Sequence, residues 1–396
     1  MKNVIENKIN EIAKCIIEYI SQNNINRLRG VYDGEFGILL FLVYYSNYID
    51  NEEIYTITND YANSLLDIMD RNYSHTFCGG LSGILYFFEL LRLKKIMRID
   101  IRDAEKSLDT FLIKKMKRDI QTKNFDFMHG ALGVGLYFVK KKSNIEYVNE
   151  LVDSLYETAE VDINSGGIKW KSIIDFENNK TGYNIALSHG MSSIVIFLCR
   201  ALKTKVDKTK VLELISRSVK YIFSQKGHCN EASSFFPNYS LESESDQLLG
   251  FGSRLAWCYG DLGISYALWY AGRTLKNKEW ENEGLYILIE STKRQTKKKS
   301  RIVEAGICHG SSGVMMIFRR LYIETKNELF LEAVHFWAQE TLNLAQFKNG
   351  LAGYKSLETN KWYLDYSLLG GIAGIGLSLI SYLKDDSQDW DEVFLL

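Results

Sequence analysis

In several stretches of this 396-residue sequence, cysteine or histidine stands one or two places ahead of a glycine. Residues 307–314 read ICHGSSGV, with Cys308 and His309 adjacent, and residues 257–265 read WCYGDLGIS, with Cys258 two places before its glycine. A third, ALSHGMSS, sets His189 beside Gly190. Cys258, Cys308 and His309 are soft or borderline donors of the kind that bind Zn2+. Three protein donors without a fourth describe a catalytic zinc site with an open position, because structural sites are closed by four. Adjacent residues point about 100° apart on a helix and to opposite sides of a strand. Cys308 and His309 can therefore serve one ion only where the backbone bends, and Gly310 supplies the bend. His189 belongs to the residue type that moves protons near neutral pH.

These residues need elements to position them, and the sequence is helical throughout. Its sole proline is Pro237, where an average chain of this length would hold about twenty. A five-residue signature (glycine, two residues, glycine or serine, then isoleucine or valine) occurs seven times. The signatures start at Gly34, Gly80, Gly130, Gly190, Gly260, Gly310 and Gly371. Each is followed by a dense apolar run that turns polar or basic, as in IVIFLCRALKTK, which sets cations against the negative end of a helix dipole. Each is preceded by an amphipathic segment, such as VIENKINEIAKCIIEYI with Ile5, Ile9, Ile12, Ile16 and Ile20 on one face. Seven pairs result: an amphipathic helix, a glycine turn and a more buried helix.

A chain of this length ordinarily splits into domains, but a repeat array grows its core with each unit. All seven second helices look buried, the terminal ones included, and an open solenoid would need polar caps at its ends. The expectation is an all-α chain, a single-domain α/α toroid over residues 1–396, with all seven glycine turns on one face. The two positions ahead of the seven first glycines hold three of the six cysteines and three of the six histidines, where chance would place fewer than one. In a ring Cys258, Cys308, His309 and His189 come from consecutive turns and lie along one arc. Cys78 belongs to a distant turn. Cys15 and Cys199 fall within helices as packing residues.

Over these motifs, the chain resembles the lanthionine synthetase C-like family from the first signature to the last. The resemblance implies an α/α toroid holding one zinc ion and, in bacterial members, the cyclisation of lanthipeptide precursors. In that reaction a peptide cysteine adds to dehydroalanine or dehydrobutyrine to form a thioether. A free thiol is only a few per cent ionised at pH 7, and zinc deprotonates a bound thiol outright. Two protein thiolates already neutralise the metal, so a substrate thiolate stays electron-rich. His189 matches the family's active-site histidine, a base for the thiol or an acid for the enolate. Asp126, in FDFMHGALG, matches a family aspartate that would orient His189 or a substrate group. Arg254 matches an arginine able to stabilise the enolate oxygen, and Tyr259 a tyrosine beside the zinc-binding cysteine. His129 shares the favoured position without a family role. Ser193 replaces the second glycine of the fourth signature, and residues 228–247 form a long insertion expected near the cavity mouth.

Composition excludes other classes. A net charge of −1 argues against a polyanion as main partner, and the basic run at 292–301 reads as a solvated helix end. The densest apolar run, from Gly37, is shorter than a membrane span, and the first fifteen residues lack a signal-peptide core. The expectation is a cytoplasmic protein without direct membrane insertion. The resemblance implies a dehydrated precursor peptide as partner, and a dehydratase and an exporter that would bring the enzyme to the membrane's inner face. Two alternatives stay open: a zinc protein of the same family that binds glutathione or peptide without cyclising it, and another zinc-dependent thiol alkyltransferase. A protein prenyltransferase β-subunit uses an Asp-Cys-His set, which the two cysteines here oppose.

Overall fold

The computed structural model describes residues 1–22, 30–67, 69, 73–97, 99–175, 180–227, 234–243, 252–384 and 388–396. They form two compact units, Met1–Asp100 with Ile302–Leu396, and Ile101–Arg301. The first holds α1 (Lys2–Ser21), α2 (Glu35–Ile49), α3 (Glu52–Asp67) and α4 (Leu81–Lys94), then, after the second unit, α13 (Ser311–Thr325), α14 (Glu328–Asn343) and α15 (Ile372–Leu383). The second holds α5 (Arg102–Gln121), α6 (Ala131–Lys141), α7 (Ile145–Thr158), α8 (Met191–Ala201), α9 (Lys208–Ser224), α10 (Asp261–Leu275), α11 (Lys278–Ser291) and the short α12 (Lys297–Ser300). All seven expected pairs are present. Every residue of α2 from Glu35 to Ser46 is buried, whereas α9 buries one stripe of Val211, Leu214, Ile215, Val219 and Ile222. Within the first unit, α15 packs against α1 and α2, so the last repeat meets the first.

The glycine signature has a steric cause. The first glycine caps each buried helix. The helix's first N–H donates to the carbonyl six residues before that glycine: Leu81 to Ser74, Ala131 to Asn124, Met191 to Asn184, Ser311 to Glu304 and Ile372 to Asp365, all at 2.8–3.1 Å. A Cβ on Gly80, Gly190 or Gly371 would sit 2.3–2.4 Å from that same carbonyl oxygen. The second glycine faces the same constraint one turn later, where a Cβ on Gly83, Gly313 or Gly374 would fall 1.9–2.0 Å from a backbone oxygen. Ser193 carries a Cβ at this place in the fourth turn, and its hydroxyl donates to the Gly190 carbonyl at 2.7 Å. Gly260 alone among the seven caps has a positive φ, 82°.

Successive turns are tied by backbone. In the second unit the N–H groups of Leu187 and Ser188 both donate to the Cys258 carbonyl at 3.2 Å. In the first unit Ile307 and Cys308 donate to Leu369, Leu369 to Tyr32, and Tyr32 to Cys78. The cysteines ahead of the glycines are therefore members of a repeating ladder.

Among the described residues, three two-stranded antiparallel hairpins decorate the helices: β1 (Glu160–Val161) with β2 (Ile168–Lys169), β3 (Lys171–Asp175) with β4 (Lys180–Tyr183), and β5 (Ser356–Glu358) with β6 (Lys361–Tyr363). The helical periodicity gave no warning of them. Of the basic run, Lys297–Lys299 are exposed as expected, but Arg294 is buried. Of the long insertion, residues 234–243 are described, with Phe235 and Phe236 buried and Leu241 and Glu242 exposed; Cys229 and the rest lie outside the described residues. No helix among the described residues is long and apolar enough to cross a membrane.

Candidate active site and metal ligands

In the second unit the third, fourth and fifth turns bring four of the expected residues together. Asp126 lies four residues before Gly130, and its Oδ1 accepts the His129 N–H at 2.7 Å while its Oδ2 lies 2.8 Å from Nδ1 of His189. Both carboxylate oxygens are thereby committed, which fixes the imidazole's plane. Burial opposes charge on Asp126, but the hydrogen bond and charge of His189, with help from His129, outweigh it and hold the carboxyl below its ordinary value. Burial likewise disfavours a charged His189; the Asp126 hydrogen bond and charge win, and its pKa is raised. The His129 ring stacks on His189 at 5.7 Å, and the Tyr259 ring lies 6.4 Å away. Tyr259 meets Tyr239 edge-on at 5.6 Å, and burial above all keeps its phenol protonated.

The segment carrying Arg254 and Cys258 is anchored by a buried ion pair. Asp261, fully buried at the start of α10, accepts the Phe236 N–H at 2.8 Å and pairs with Arg294 at 2.9 Å. Arg294 also donates to the carbonyls of Ser253 at 2.6 Å and Lys299 at 3.1 Å. Cys258 is buried and Arg254 half-buried. Beside the Asp126–His189 pair opens a cavity of about 500 Å3, walled by Asn184 and Met191 on one side and by Trp170 and Lys171 of the strand insertion on another.

In the first unit the sixth turn presents Cys308 and His309, both half-buried. The His309 Nε2 lies 3.1 Å from Oε1 of Glu304, a buried carboxylate whose Oε2 accepts the Leu357 N–H of β5 at 2.7 Å. None of the described cysteines is in a disulfide. Burial raises the Cys199 thiol to about 12, which suits a packing residue and not a nucleophile.

With this geometry in place, comparison with known proteins is decisive. The pattern of the lanthionine synthetase C-like proteins matches residues 29–395. The chain belongs to the lanthionine synthetase C-like family. A solved structure of a nisin cyclase aligns over 100% of this chain and 98% of its own at TM-score 0.75 and 17% identity, so the two share a fold. That fold, the family's α/α toroid, is the one expected from the sevenfold repeat. A cellobiose 2-epimerase from Bacillus thermoamylovorans aligns over 96% of this chain and 99% of its own at 11% identity, but its TM-score of 0.40 carries no argument. A search of curated protein sequences returns no match.

Within this family member, sequence reasoning overlooked Glu304, the Asp261–Arg294 pair, Tyr239 and the β3–β4 hairpin. A signal for Glu304 existed. It stands six residues before its glycine, the offset shared by Ser74, Asn124, Asn184, Arg254 and Asp365. Aligning the seven turns beyond the two positions nearest each glycine would have marked it.

Proposed function

We propose that this protein is a zinc-dependent lanthipeptide cyclase, acting as one domain over residues 1–396, in which Cys258, Cys308 and His309 hold the metal. Two thiolates and an imidazole fit zinc in chemistry as well as number. The observation that carries the reading is the Asp126–His189 pair, a half-buried imidazole oriented by a carboxylate, beside a cavity in a member of this family.

When bound, zinc supplies a deprotonated substrate thiol at neutral pH. The chain's residues supply the rest. Asp126 holds Nδ1 of His189, which leaves Nε2 to exchange a proton with the substrate. The peptide's sulfur bonds to the β-carbon of a dehydroalanine or dehydrobutyrine, and the double bond's electron pair moves to the α-carbon and its carbonyl as an enolate. The α-carbon then takes a proton, for which His189 is the donor, so the reaction is an isomerisation without loss of mass. Arg254 and the protonated phenol of Tyr259 stabilise the enolate oxygen. The fold shared with a nisin cyclase supports a peptide substrate, whereas a dehydratase and an exporter as partners rest on family resemblance alone.

The test is incubation with a dehydrated precursor peptide, followed by thiol alkylation and mass spectrometry. Cyclisation leaves the peptide's mass unchanged and removes alkylatable thiols. Binding without loss of thiols would favour the non-cyclising zinc protein instead.

A further inference from the structure

We infer that Glu304 is a positioning residue for the metal-binding imidazole, fixing the tautomer of His309 and tying it to the β5–β6 hairpin. The inference rests on the reading that His309 binds zinc.

The argument begins with what the other turns do at the same offset. Asn124, Asn184, Asp365 and Ser74 each stand six residues before a glycine, and each folds its side-chain oxygen back onto the N–H two residues on. The acceptors meet Asp126 at 3.4 Å, Ala186 at 2.9 Å, Ser367 at 2.8 Å and Thr76 at 3.3 Å. These are local turn bonds of the kind short polar side chains make. Glu304 keeps the backbone duty, its carbonyl accepting the Ser311 N–H at 3.1 Å. Its side chain does something else. One methylene longer than Asp or Asn, it reaches Nε2 of His309 with one oxygen and the Leu357 N–H with the other.

A carboxylate only accepts hydrogen bonds. With one oxygen taking the Leu357 N–H and the other against Nε2, the proton of a neutral His309 belongs on Nε2. Nδ1 then carries the lone pair that a metal would take. Outer-shell carboxylates of this kind raise ligand basicity and hold the ring's orientation. Glu304 is 3% exposed, so the carboxylate end of the contact is shielded from water.

Glu304→Gln tests this because it preserves shape. The amide oxygen can still accept the Leu357 N–H, but its NH2 group now faces Nε2 as a donor and drives the proton to Nδ1. Zinc affinity, measured by chelator competition, should fall by about 10–100-fold. The thermal midpoint of the metal-free protein should stay unchanged. Long-range 1H–15N spectra of the metal-free protein should report the Nε2–H tautomer of His309 in the wild type and the Nδ1–H tautomer in the variant. An Nδ1–H tautomer in the wild type, or a Gln variant with undiminished zinc affinity, would overturn the inference. A wild type that binds no stoichiometric zinc would instead overturn the proposed function, and the tautomer measurement would still decide the role of Glu304.

Discussion

Asp126 and His189 lean on each other from opposite charges, and each is shifted toward its ionised form. In Asp126→Asn the hydrogen bond weakens and the charge is gone, while burial still acts to lower the histidine's pKa. His189 should then titrate at lower pH, and the limb that it governs in the pH profile of the proposed cyclisation should move the same way. Stability follows with a worked sign. The contribution of Asp126 is present above its ordinary 3.8 and lost as pH falls through its lowered value. That of His189 is present below its ordinary 6.5 and lost as pH rises through its raised value. The wild type should therefore exceed Asp126→Asn in melting temperature most clearly between pH 3.8 and 6.5, a difference that calorimetry across that range would read. At the proposed metal ligands the expectation is simpler. Cys258→Ala and Cys308→Ala should each lose bound zinc in elemental analysis and thioether formation together. Retention of both would leave the proposed ligand set untenable. The cysteines and histidines were legible in the sequence because they are rare and share one register. Glu304 was not, since glutamate is common and its meaning lies in what it touches.

Among the elements, the glycine turns do the positioning, and they do so by letting backbone approach backbone. Gly313→Ala would place a methyl 1.9 Å from the Ile307 carbonyl oxygen, next to Cys308. The backbone must give, at a cost of about 1–3 kcal/mol or more, and urea unfolding should show it. Ser193→Ala, at the equivalent place in the fourth turn, should cost no more than about 0.5–1.5 kcal/mol, because a Cβ is already accommodated and only one hydroxyl bond is lost. The fifth turn depends on a different device. Arg294→Ala would strand Asp261 as an unpaired buried carboxylate beneath the Cys258 segment and should destabilise by about 3–5 kcal/mol. Helix positions were plain in the sequence because periodicity and burial repeat seven times. The three hairpins were not, since strands of two to five residues are too short to display a period.

On the scale of the chain, the first and last repeats are joined by the C-terminal residues. The Tyr32 hydroxyl donates to the Val393 carbonyl, its ring stacks on Phe394 at 4.7 Å, and the Trp390 indole N–H donates to Ser381 at 2.7 Å. Phe394 is fully buried. Phe394→Ala should cost about 3–5 kcal/mol in urea unfolding, an effect that an exposed, unpacked segment would not show. The sequence alone was enough for the seven helix pairs, their order, the sevenfold register and the residue types that can bind a metal or move a proton, though not for the short α12. Each of these is written in spacing and composition, which a repeat amplifies. Only the tertiary structure decided which carboxylate faces which imidazole, that Arg294 is buried against Asp261, and that a strand insertion walls the cavity beside His189. Most of those contacts join residues tens of positions apart and without a shared period, so only the folded chain's packing and the demand to satisfy buried polar groups select them.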